Sequence, residues 1–78
     1  MKEVTLEIVG LLRRPTGARK WTVEAPEPAT VAEILVQAGY AADEARRIQV
    51  MLDGVAVSTA AVPPDGAKVT LYLPVGGG

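Results

Sequence analysis

The chain has 78 residues, 49% of them apolar, with eight basic and nine acidic side chains, no cysteine and no histidine. That length supports one small domain, which buries somewhat more than ~60% of the surface its chain exposes and has an expected stability of roughly 4 to 12 kcal/mol. The composition excludes disulfide staples, cysteine or histidine zinc sites and histidine-based catalysis, and a net charge of −1 excludes the extended basic footprint of a nucleic-acid binder.

Residues 1–10 alternate charged with apolar side chains instead of forming a signal-peptide core, and no run approaches the ~20 apolar residues of a bilayer span. A soluble, cytoplasmic protein is expected. Val4, Leu6 and Ile8 alternate with Glu3, Thr5 and Glu7, the period-two pattern of a half-buried first strand. Gly10, Pro15, Thr16 and Gly17 punctuate a turn, after which Trp21 and Val23 alternate with Thr22 and Glu24, so the two strands are predicted to form a hairpin. Pro26 and Pro28 cannot donate to a ladder and end the sheet there.

Thr30 followed by Glu33 is a capping box, and Val31, Ile34, Leu35 and Ala38 then form one apolar stripe, predicting a helix over about 30–38. Gly39 supplies a left-handed cap and Tyr40 is placed to pack back on Leu35. Residues 41–47 carry Asp43, Glu44, Arg46 and Arg47 and read as a polar turn or a short helical piece. Ile48, Val50 and Leu52 lead into Asp53-Gly54, a type I′ hairpin turn that sets Leu52 opposite Val55 and Val50 opposite Val57. Pro63, Pro64, Asp65 and Gly66 build another turn, and a last strand places Val69, Leu71, Leu73 and Val75 on one face.

This order implies a two-layer α+β domain, a mixed five-stranded sheet packed on one main helix. The chain then ends in Gly76-Gly77-Gly78. Without Cβ atoms such a tail can extend into a narrow channel, which makes the Gly78 carboxylate the candidate reactive group; a frayed terminus with no task is the plain alternative. Catalysis by the chain itself is not expected. Its one serine, Ser58, has no base beside it in the sequence and reads as a turn residue, and Asp53 and Asp65 each sit beside a glycine in a turn, with no metal role. On the outward sheet face Met51, Tyr72 and Pro74 break the polar pattern, and with Leu11 and Leu12 in the first loop they form a candidate docking patch. Arg13, Arg14, Arg19 and Lys20 read as a solvated basic loop, Trp21 as strand core, and no basic amphipathic helix is available for a membrane surface.

The stretch Ala29-Thr30-Val31-Ala32-Glu33-Ile34-Leu35, the turn Asp65-Gly66 before Val69, and the ending Pro74-Val75-Gly76-Gly77-Gly78 resemble the "T-V-x-E-L-L", "D-G-D-x-V" and "P-V-x-G-G" motifs of the ubiquitin-like β-grasp sulfur carriers of molybdopterin and thiamine synthesis. The likeness spans almost the whole chain, and the ending is its specific part. It implies a β-grasp domain over 1–75 and a flexible glycine tail over 76–78. It also implies that a ubiquitin-activating-type enzyme uses ATP to adenylate Gly78, that sulfur displaces AMP to leave a thiocarboxylate, and that a synthase accepts the sulfur. No cofactor or metal would be bound by the chain. Gly77 and Gly78 would carry the chemistry, while Gly76, Val75, Pro74, Tyr72, Met51, Leu11 and Leu12 would meet the partner. The long 10–20 connection suits the molybdopterin type and the short segment between helix and Asp53-Gly54 suits the thiamine type, so the pathway stays open. Two further readings stand beside this one: a modifier that acylates lysine, and a non-catalytic β-grasp interaction subunit. A monomer is expected for the free chain.

Overall fold

The computed structural model of the protein describes residues 1–74. Its elements are β1 (Lys2–Ile8), β2 (Lys20–Ala25), α1 (Val31–Ala38), α2 (Ala42–Arg47), β3 (Gln49–Leu52), β4 (Val55–Val57) and β5 (Lys68–Tyr72). The sheet order is β2-β1-β5-β3-β4, with β1 and β5 parallel and every other neighbouring pair antiparallel. Tight turns suffice for antiparallel neighbours, but the parallel β1/β5 pair needs the chain to cross over, and α1 makes that crossing over the apolar face of the sheet. The result is the expected ubiquitin-like β-grasp, with α2 as a second, short helix.

Period-two alternation is what aligns the core. Leu6 lies opposite Trp21 on one side and Val69 on the other, Ile8 opposite Leu71, and Val50 opposite both Val57 and Leu71. Beneath them α1 contributes Val31, Ile34 and Leu35, all fully buried. The helix starts where its cap chemistry dictates: the Glu33 N–H donates to Thr30 Oγ1 at 3.2 Å and the Thr30 N–H donates to Glu33 Oε1 at 2.8 Å. It ends in a Schellman motif, with the Gly39 N–H donating to the Val36 carbonyl and the Tyr40 N–H to the Leu35 carbonyl, both at 3.1 Å.

Gly39 has φ +119°, and a Cβ built there would lie 2.8 Å from the Pro15 Cβ, which belongs to a rigid ring. Gly39→Ala therefore combines a left-handed backbone penalty with overpacking, and is expected to cost about 2 to 4 kcal/mol. Urea denaturation checks this; an unchanged midpoint would contradict the placement of Pro15 against the cap.

The Asp53-Gly54 turn has φ of +49° and +87°, as a type I′ hairpin requires, and the Leu52–Val55 and Val50–Val57 pairs follow. Three features depart from expectation. Residues 42–47 take the helical of the two forms expected of them, but Ala45 of this turn and a half is buried, so the segment packs as well as connects. Strand β5 stops at Tyr72, because β1 ends at Ile8 and β3 begins at Gln49, leaving no neighbour to continue the ladder; Leu73 lies outside the strand and is 40% exposed. Val75 lies outside the described residues.

The third departure is Lys2, which the alternation marks as an inward position and which is only 1% exposed. Its ammonium donates to the Ala29 carbonyl at 3.0 Å and the Pro63 carbonyl at 2.6 Å, and pairs with Glu27 Oε1 at 3.1 Å. All three donors are used, which is the condition for burying a charge. Lys2 thereby fastens two irregular segments, the 26–29 turn and the 58–67 connection, to the start of β1. Among the described residues no helix is long and apolar enough to cross a membrane.

Candidate functional site

The central strand β5 delivers the chain to one end of the sheet at Tyr72, Leu73 and Pro74. Beside this exit Val9 follows the end of β1, and its N–H donates to the Leu71 carbonyl at 2.9 Å. Gly10, with φ +82°, then turns the chain so that Leu11 points wholly into solvent and Leu12 points inward. Val9, Gly10, Leu11, Tyr72, Leu73 and Pro74 together line an open groove of about 310 Å³. Val9 is 51% exposed and Leu11 fully so. The side chains that line it are apolar apart from the Tyr72 hydroxyl.

Of the residues proposed for docking, the structure brings Tyr72, Pro74 and Leu11 together. Met51 shares the outward face: it pairs with Thr70 and is the diagonal neighbour of Tyr72, but it does not line the groove. Leu12 must be corrected. It is 5% exposed and belongs to the hydrophobic core, because the Gly10 turn sends consecutive leucines to opposite sides. Val9 and Leu73 were not among the candidates. Val9 had a legible signal, an apolar side chain at the outward phase that Glu3, Thr5 and Glu7 set; Leu73 had none, since only the end of β5 frees it. Val75, Gly76, Gly77 and Gly78 lie outside the described residues.

The turn readings of the polar candidates hold. Ser58 Oγ accepts the Ala60 N–H at 3.0 Å, Asp65 Oδ1 accepts the Glu3 N–H at 2.7 Å, and Asp53 Oδ1 accepts the Lys68 N–H at 3.2 Å. Trp21 packs against the core from β2.

The loop between β1 and β2 is held by more than Leu12. Arg13 grips Glu44 of α2 with two hydrogen bonds, Nε to Oε2 at 2.9 Å and Nη2 to Oε1 at 2.6 Å, and Nη2 also reaches the Gly39 carbonyl at 3.0 Å. The Tyr40 hydroxyl donates to the Arg13 carbonyl at 2.6 Å, and the guanidinium lies 5.3 Å from the centre of the Tyr40 ring. Arg13 is thus a staple between loop and helices, whereas Arg14, Arg19 and Lys20 remain exposed as expected. Leu12, Glu44, Arg47 and Leu73 line a smaller depression on the helix side of the exit, so Leu73 stands between the apolar groove and the charged end of α2.

Hydrogen bonds from Arg13, and from the Ala41 N–H, hold the Glu44 carboxyl down at about 2, below its ordinary value of 4.5. A carboxyl with a depressed folded-state value stabilises the fold above its unfolded value and loses that contribution as pH falls toward the folded one. The stability difference between the parent chain and Glu44→Gln is therefore expected to be constant near neutrality and to shrink between pH 4.5 and about 2. Urea titrations across that window check it; a difference independent of pH would contradict the staple.

No family model matches this chain, and no curated protein matches it in sequence. Solved structures do match. Small archaeal modifier protein 1 of Haloferax volcanii superposes with a TM-score of 0.75 at 22% identity, over 96% of this chain and 100% of that one. A putative molybdopterin converting factor subunit 1 from Pyrococcus furiosus gives 0.76 at 18% identity, over 96% and 100%. The HVO 2177 protein of Haloferax volcanii gives 0.75 at 23% identity, over 99% and 87%. These likenesses establish the shared β-grasp fold over nearly the whole chain.

Proposed function

We propose that this chain is a carrier whose C-terminal glycine is the working group. An adenylating enzyme of the ubiquitin-activating type joins the Gly78 carboxylate to AMP from ATP, releasing pyrophosphate. Sulfide-level sulfur then attacks the acyl carbon, the acyl–phosphate bond breaks with AMP as leaving group, and a thiocarboxylate remains, a soft nucleophile tethered to a folded body, for a synthase that accepts sulfur. The chain binds no cofactor in this scheme; ATP belongs to the partner. The observation that carries the reading is the position of the groove: β5 ends at Tyr72 and the chain runs on through Leu73 and Pro74 along the groove that Leu11 and Val9 also line, so a partner seated there takes hold of the body just before the tail.

A lysine-directed modifier is the second reading, favoured by the likeness to small archaeal modifier protein 1. The two differ in what captures the activated carboxyl, sulfur or an amine. Cell extracts supplied with ATP and the chain decide between them. A carrier yields thiocarboxylate and no conjugates; a modifier yields lysine-linked conjugates that vanish when Gly77 and Gly78 are deleted. If the deleted chain supports growth as well as the parent does, both fail and the β-grasp body is an interaction subunit with an idle tail.

A further inference from the structure

Strand β2 is an edge of the sheet, and its outer hydrogen-bonding groups are arranged for a copy of itself. The Ile8 N–H donates to the Arg19 carbonyl at 2.7 Å, which sets the phase of the β1/β2 ladder: Leu6–Trp21, Val4–Val23 and Lys2–Ala25 are the bonded pairs. The N–H and C=O groups of Lys20, Thr22 and Glu24 therefore point away from β1. The Glu24 carbonyl confirms this phase, since it accepts the Gln37 side-chain amide from α1, and its second lone pair stays available.

We propose that two copies of the chain pair antiparallel through β2, with a twofold axis at Thr22, to form a continuous ten-stranded sheet. In this register Thr22 meets Thr22 of the second copy and each Lys20 meets the other copy's Glu24, all in bonded pairs, while each Trp21 meets the other copy's Val23. The sequence is self-complementary in charge and in shape. Among the described residues neither Lys20 nor Glu24 makes an ion pair within 4.0 Å; Lys20 lies opposite Glu7, which is paired with Lys68, and Glu24 lies directly opposite Glu3 on β1, a like-charge pair that a facing lysine offsets. Trp21 and Val23, both half-buried on the core side, gain cover from an aromatic to β-branched contact across the new seam. The unpaired edge itself is a standing template for such pairing. This departs from the monomer expected of the free chain.

The pairing is independent of the proposed sulfur chemistry and compatible with it. It places the two β5 strands five strand spacings apart, about 24 Å, and antiparallel, so the two exits lie at opposite ends with their grooves uncovered.

Sedimentation of the full chain up to about 1 mM tests the idea. A monomer to dimer equilibrium is expected, with Lys20→Glu and Glu24→Lys each weakening it at least about tenfold, because each turns two attractive pairs into repulsive ones. Mixing these two variants is expected to restore a dimer containing one chain of each, and the combined Lys20→Glu/Glu24→Lys chain to restore self-association. A parent chain that stays monomeric throughout would overturn the proposal. So would a dimer indifferent to either substitution, or variants that do not recover on mixing.

Discussion

Lys2→Met is expected to lower the unfolding free energy by about 2 to 5 kcal/mol, a large share of the total for a chain this short. Methionine fills nearly the same space, so the loss is not one of packing. It comes from the Ala29 and Pro63 carbonyls, which lose their Lys2 donors at a residue that is 1% exposed. Removing the other partner should matter far less: Glu27 is 54% exposed, and Glu27→Gln is expected to cost no more than about 1 kcal/mol. Chemical denaturation of the two variants measures the contrast. Equal, small effects would show that the ammonium does not hold the two segments together. Because Lys2 opens β1 at the end of the sheet opposite the exit, the folded variant should still be activated at the parent rate.

Charge placed in the groove should do the reverse. Leu11→Asp and Tyr72→Asp are expected to reduce the efficiency of ATP-dependent activation at least about tenfold each, the scale of a truncated interface anchor. Leu11 is fully exposed, so its substitution should leave the unfolding midpoint where it was. Met51→Asp, off the groove, should have a smaller effect on activation. Leu12→Asp is the internal control: it buries a carboxylate in the core and should fail in stability before it fails in binding. Activation rates of folded Leu11→Asp and Tyr72→Asp equal to the parent's would leave the groove without a role.

What was legible in the sequence was whatever a few neighbouring residues decide among themselves. The Thr30/Glu33 box, the Gly39 cap, the Asp53-Gly54 turn and the strand alternation are short-range patterns with one satisfactory geometry each, and all appear as expected. The features that escaped depend on what lies across the fold. Lys2 looks like any basic residue near a terminus until the Ala29 and Pro63 carbonyls converge on it. Leu11 and Leu12 are indistinguishable in composition, and only the left-handed Gly10 sends one out and the other in. The end of β5 is set by where β1 and β3 stop, which no local pattern in 68–75 records. Arg13 reads as loop charge until Glu44 arrives from α2. The candidate site was accordingly found in part: the outward apolar phase at Tyr72 was visible, whereas the groove needed the loop and the exit brought side by side.

The central claim, that the Gly78 carboxyl is chemically employed, is tested most directly by intact-mass spectrometry of the purified full chain. It is incubated with ATP, a sulfur donor and the ubiquitin-activating-type enzyme of the same organism. A species heavier by the exchange of one oxygen for sulfur is expected, located to the terminal glycine by fragmentation and absent when ATP is withheld. An unmodified carboxylate, under conditions where that enzyme activates its other substrates, would contradict it.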